Sequence, residues 1–416
     1  MRSRHDRPAW LALLTALALA VLVGAAGGSL AAFSLRGLDA LLGLVWGKGV
    51  LAGAPSSRTL LAALAITLPV GLGLAVLRRT GGAPGAASAS PALLPELPDT
   101  LRELRGSAGL SSAGWWRQLL SGALALLGGA PIGPEALLTR LVALISHGLW
   151  RGRDQALPAA AVAGSLGIFQ APLLGGAVLA GRRWSLLWRW LPGTLAGLAG
   201  FVTAGGGRAL GGLAGVPYQW PDGGQQGLAA LSVSVVAGLL GLLLGRVALA
   251  WRGLLRRCLR DDPPLWLTPA TGLLLAFSGW CLPLAVFSGE QQLRPLLLDA
   301  PTGAPLLLLS GLAKLLLAAL CLETGWRGGL FFPAILASAC VGLGAHGLLP
   351  WWGEPQSWVA GVTGGTLSAL LGAPVVALVL GLALLEGHAA GALLIGVLIG
   401  QLSTRVLSRG RLAASE

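Results

Sequence analysis

Residues 128–137 read GGAPIGPEAL, and they interrupt the apolar stretch 119–147. That stretch is long enough to span a bilayer, which takes about 20 residues at 1.5 Å rise each. Three glycines and two prolines break its helical course, and Glu135 places an ionisable group inside it. Backbone at membrane depth leaves the helix only where protein or a water-filled cavity satisfies its polar groups. The stretch therefore predicts a half-helix that starts within the membrane near Glu135.

Similar Gly/Pro breaks fall at 164–176, 325–333 and 372–374, and they come in pairs. GPEAL at 133–137 precedes QAPLLGGAVLA at 170–180, just as GGLFFP at 328–333 precedes GAPVVALVLG at 372–381. Broken helices at corresponding places in two halves are the mark of an inverted-repeat transporter whose site lies at the repeat interface. The expected organisation is one transmembrane domain over 1–416, with a first repeat over approximately 10–204 and a second over approximately 227–408.

Composition agrees with a membrane solvent. Hydrophobic residues make up 55% and charged residues 11% of the 416, where a soluble domain carries roughly 25% charged. Further apolar runs cover 10–33, 59–77, 157–180, 227–251, 305–322, 328–350 and 358–408, so the fold class is an all-α polytopic membrane protein. The net charge of +13 is almost wholly arginine, Lys48 and Lys314 being the only lysines. In a soluble chain that excess suggests nucleic acid. Here it sits at the ends of apolar runs, as the positive-inside rule requires, and no nucleic-acid partner is expected.

Arg2, Arg4 and Arg7 at one end, and Arg405, Arg409 and Arg411 at the other, place both termini in the cytoplasm and make the number of crossings even. Arg252, Arg256, Arg257 and Arg260 mark a cytoplasmic loop, and 211–228, free of basic residues, reads as external. Sixteen tryptophans against one tyrosine, many at segment ends, fit an interfacial belt. The run after the basic N-terminus exceeds the 7–15 residues of a signal-peptide core and reads as the first membrane helix. Within 80–118 the backbone is expected to be irregular, with a short helix around 99–106. The four scattered cysteines give neither a disulfide framework nor a metal spacing, and no cofactor is expected. Nine residues follow Leu407, so no C-terminal soluble domain is expected.

A half-helix that starts inside the bilayer presents unpaired N–H groups and a positive dipole end, a ready site for an anion. Glycines 129, 133, 328 and 329 would let an ion approach the backbone closely. A carboxylate in such a place is a functional hypothesis by default: Glu135 can mimic an anion until protonation or a real anion displaces it, or it can simply cap its helix. Lys314 either snorkels or supports the pore, Glu323 reads as a solvated segment end, and Glu386 is buried or interfacial. His147, His346 and His388 have no ligand spacing, and nothing argues for an enzyme.

These residues resemble the chloride channel/transporter (CLC) family. GGAPIGPEAL resembles the family's glutamate-bearing GxEGP motif, with Ala136 and Leu137 in place of Gly-Pro. SLGIFQAPLLGGAVLA (165–180) is similar to the FNAPLAG helix, KLLLAALCLETGWRGGLFFP (314–333) to the segment ending in GGxFxP, and 367–387 to the later Ala-Pro helix. The resemblance implies a homodimer with an independent anion pathway in each subunit, and the short stretch after Leu407 makes it a divergent member expected to lack C-terminal CBS domains. It implies Glu135 as the gating glutamate and a pathway along Ile132, Gly133 and Pro134 and then Gly328, Gly329, Leu330 and Phe331.

Departures from the family pattern shape the expected mechanism. Where the family's GSGIP serine is expected, Ala92 stands in PALLP, with Ser88 or Ser90 as substitutes in another register. The pathway tyrosine near the C-terminus is missing, the only tyrosine being Tyr218. The exchangers' Glu-Glu pair is replaced by Gly181 and Arg182, and an arginine cannot release a proton at physiological pH. The expectation is a passive, Glu135-gated chloride or small-anion channel in a bacterial plasma membrane. The alternatives are a chloride/proton exchanger with another proton route, a non-conducting structural or partner-binding subunit, and an unrelated secondary transporter.

Overall fold

The computed structural model describes residues 9–51, 60–81, 93–105, 110–150, 156–169, 172–180, 187–205, 228–259, 263–298, 303–385 and 388–413. In chain order the helices are α1 (Ala9–Trp46), α2 (Lys48–Leu51), α3 (Leu60–Gly81), α4 (Leu97–Arg105), α5 (Trp115–Leu127), α6 (Glu135–Leu149), α7 (Ala156–Gly167), α8 (Leu174–Ala180) and α9 (Leu187–Thr203). There follow α10 (Leu228–Leu259), α11 (Leu267–Cys281), a 3-10 turn (Pro283–Ala285), α12 (Glu290–Leu298), α13 (Ala304–Glu323), α14 (Phe331–Leu348), α15 (Pro355–Leu371), α16 (Pro374–Leu384) and α17 (Ala390–Ala413). The expected breaks are present: 119–147 resolves into α5 and α6, and 157–180 into α7 and α8. The short helix expected around 99–106 is α4.

Among the described residues, stretches within α1, α3, α10, α13 and α14 are long and apolar enough to cross a membrane. The protein is an all-α, multi-pass membrane protein. At 1.5 Å per residue the 38 residues of α1 extend about 57 Å, far more than the roughly 30 Å hydrocarbon core, so the helix must tilt or project.

Contacts divide the chain into two compact units. The first comprises Met1–Gly37, Leu97–Ser112 and Leu138–Gly215. Its helices meet through glycine: a Cβ on Gly164 would strike the backbone of Gly24, and one on Gly200 the backbone of Gly164. Lipid tails are as apolar as leucine, so helices in a bilayer associate by such close backbone packing. Among the described residues of this unit, Arg140 is a fully buried cation. Arg140 donates to Glu103 Oε2 and to the Ser111 carbonyl, both at 2.8 Å, and this pairing offsets its desolvation.

The second unit comprises Leu38–Glu96, Ala113–Leu137 and Val216–Glu416. Here α10, α15 and α17 pack as a glycine-lined trio, since a Cβ on Gly241 would overlap Val362 and one on Gly396 would overlap Gly361. Buried tryptophans pin other elements: Trp326 Nε1 donates to the Thr268 carbonyl at 2.9 Å and Trp46 Nε1 to the Leu127 carbonyl at 2.7 Å. Of the basic cluster expected as a loop, Arg252, Arg256 and Arg257 stand in the end of a helix, because α10 continues to Leu259, while Arg260 lies outside the described residues. Arginine is a good helix former, and basic groups suit a helix C-terminus. Glu323, expected to be solvated, is instead held: Arg252 Nε donates to its Oε1 at 2.6 Å and Arg256 Nε at 3.0 Å, while Arg252 also pairs with Glu96.

Candidate functional site

The site is built where two helices begin. After α5 the chain turns through Gly129, whose φ of 75° suits glycine. It then runs buried to Gly133, which exchanges two backbone hydrogen bonds of 2.8 Å with Gly329. Two residues beyond each glycine a helix starts, α6 at Glu135 and α14 at Phe331. This small bridge brings two N-terminal turns together although nearly 200 residues separate them in sequence.

Glu135 is fully buried. Its Oε1 accepts the Phe331 N–H at 2.7 Å, and its Oε2 has no partner among the described residues. The carboxyl group lies flat against glycine backbone, for a Cβ at Gly133 or Gly329 would overlap it. Ile132 packs on Gly328 in the same way, with a Cβ there falling 2.8 Å from Ile132 Cδ1. Pro134 is buried, and Leu330 and Phe331 are half-buried. Of the residues expected to line the site, Ile132, Gly133, Pro134, Gly328, Gly329, Leu330 and Phe331 thus gather around Glu135. Ala92 and Arg182 lie outside the described residues, as do Gly181, Tyr218 and Glu386.

The chemistry of the arrangement is that of an anion cradle with a carboxylate in it. The N–H groups of α14's first turn have no intrahelical acceptor, and the helix dipole adds positive potential there. One of them already binds an anionic side chain. A separate apolar cleft is lined by Trp46, Thr67, Gly128, Gly129, Leu275 and Phe287.

Lys314 supports the site from behind. Its fully buried Nζ donates to the carbonyls of Leu284, Val286 and Phe287 at 3.1, 2.9 and 2.8 Å, and to Gln292 Oε1 at 3.3 Å. Phe287 has a φ of 63°, and its N–H donates to the Gly129 carbonyl at 2.9 Å. The ammonium therefore fixes an irregular strap, 283–289, which in turn holds the loop leading to Glu135. Of the two roles weighed for Lys314, the structure assigns support.

Sequence reasoning overlooked the acidic neighbourhood beyond that strap. Glu290 begins α12, is 7% exposed, and leaves Oε1 without a partner among the described residues. Its neighbour Gln291 donates to Asp39 at 3.1 Å. The one available signal was SGEQQ at 288–292, a run of polar groups entering an apolar region.

Comparison with known proteins agrees with the motif reading. The family model described as voltage gated chloride channel matches residues 74–405. No curated protein sequence matches. Among solved structures, a slow cyanobacterial Cl−/H+ antiporter superposes with a TM-score of 0.68 at 18% identity, covering 94% of each chain. A CLC-type fluoride/proton antiporter gives 0.69 at 18% identity, over 94% of this chain and 95% of that one. A eukaryotic CLC transporter gives 0.63 at 20% identity, over 94% and 72%. At these identities the structures speak for the fold, whereas the family model covers most of the sequence, and on that match the chain belongs to the voltage-gated chloride channel (CLC) family.

Proposed function

We propose that the protein passes chloride or a similar small anion passively through the bilayer, with Glu135 as its gate. One observation carries the reading: the Glu135 carboxylate occupies a glycine-walled place at the head of α14, bound by the Phe331 N–H through one oxygen only. A side chain in an anion's place blocks an anion, and neutralising it or displacing it frees the place. Such a site needs no fixed cation, which would hold the ion too tightly for turnover. Ile132, Gly133, Pro134 and the segment Gly328–Phe331 form its walls. Each subunit of a homodimer would carry one such pathway.

A second reading is proton-coupled exchange. It is favoured by two of the structural relatives, which are described as Cl−/H+ and fluoride/proton antiporters. Against it stands the sequence at 181–182, Gly-Arg, where the family's exchangers carry a glutamate pair. Anion efflux from proteoliposomes with a chloride gradient, recorded with proton movement in the same vessel, separates the readings. Chloride leaving without protons supports the passive gate. A fixed chloride-to-proton ratio establishes exchange, and no anion flux from well-folded protein leaves a structural or partner-binding role.

A further inference from the structure

Opening the gate by neutralisation takes a proton, and Glu135 is fully buried. The second unit also holds the carboxyl groups of Glu290 and Asp39, both at least partly buried. Gly289, at a φ of 106°, packs against the first turns of α14: a Cβ there would stand 2.9 Å from Leu336 Cβ and 3.4 Å from the Phe332 carbonyl oxygen. Glu290 follows at once. It approaches from α12 the same helix start that Glu135 touches through Phe331 N–H. Glu135 and Asp39 both lie within electrostatic reach of Glu290, and Ser288 is its hydrogen-bonding neighbour. Asp39, on α1, is only partly buried and is joined to α12 through Gln291.

Among the described residues Glu290 forms no ion pair. The buried Lys314 on α13 spends its donors on three carbonyls and Gln292, and Arg294 of α12 has no ion pair with Glu290 among the described residues. Glu290 Oε1 and Glu135 Oε2 are both buried without partners. Buried carboxyl groups near one another disfavour each other's ionised form and can exchange protons. An unpartnered oxygen on each is what a shared, transferable proton requires.

We propose that Glu290 is the proton carrier of the gate: its carboxyl group gives a proton to Glu135, and is refilled through Asp39. This rests on the gate reading above. Glu135 becomes neutral and leaves the anion place, Glu290 becomes the carboxylate, and Asp39 returns the proton to Glu290 and takes another from solvent. No bond other than O–H is made or broken. The route does not use position 182.

The test is a pH jump from neutral to about pH 5, within the range where carboxylates titrate, on proteoliposomes losing chloride. It compares the parent, Glu290→Gln, Glu135→Gln and the double variant. The parent accelerates on acidification. Glu290→Gln keeps the place of the side chain but cannot cycle a proton, and its acid response slows about 100-fold, the lower range for a positioned proton donor. Asp39→Asn slows the response less. In the Glu135→Gln background, already open, Glu290→Gln changes nothing. An undiminished acid response in folded Glu290→Gln overturns the proposal, as does an equal loss of flux in both backgrounds, which marks a structural role. Failure of Glu135→Gln to open sinks the gate reading itself.

Discussion

Two buried charges, Lys314 and Glu135, sit in the same unit and are treated in opposite ways. Lys314 has every donor engaged, by three carbonyls of the irregular strap and an amide oxygen. Glu135 has one oxygen bound to Phe331 and one bound to nothing described. A saturated buried ion is a structural fastening, because any movement uncovers an unpaired charge at several kcal/mol. A half-satisfied one is poised, since one of its two oxygens has no partner to lose on leaving. The difference separates what holds the site from what moves in it.

That contrast can be broken by experiment. Lys314→Met should have the largest effect: it strands three carbonyls and Gln292, at about 3–5 kcal/mol in total. Its thermal midpoint in detergent is expected to fall further than that of any other variant described here. A smaller drop than that of Trp46→Phe would show that the strap does not depend on the ammonium. Gly329→Ala comes next, made in the Glu135→Gln background so that the gate is already neutral. Its methyl group fills the anion's place, and overpacking of about 1–3 kcal/mol lowers chloride flux about tenfold or more; unchanged flux would move the anion site elsewhere.

Glu135→Gln itself should raise chloride efflux about tenfold, as expected if the open state is a minor one of about 10% in the parent. It should also flatten the pH dependence, which in the parent rises toward acid as the carboxylate is neutralised, while leaving the thermal midpoint near that of the parent. The smallest effect belongs to Trp46→Phe, which loses the bond to the Leu127 carbonyl and about 1 kcal/mol of stability with little change in flux.

Much of this contrast was legible beforehand, and the reasons are specific. Glu135 stood out because a carboxylate between Gly-Pro and an apolar helix has no ordinary explanation in a membrane. Phe331 was legible only as the start of the paired motif GGLFFP. Lys314 could be seen as costly, but not as satisfied, since its partners lie in a strap whose backbone has no periodic signature. Glu290 was passed over because a Glu after Gly at a segment end looks like any solvated acid. Its burial comes from α14 covering Gly289.

By itself the sequence determined the solvent and the local breaks. An apolar content of 55% with periodic Gly/Pro interruptions requires helices in a bilayer, and a helix must restart wherever glycine and proline end it. The tertiary structure decided which restarts meet. The bonds between Gly133 and Gly329 and from Phe331 to Glu135 join positions nearly 200 residues apart. No propensity encodes such a contact, because it depends on which helices the glycine faces allow to approach. The same packing decided which acids are buried, and so which of them can hold a proton.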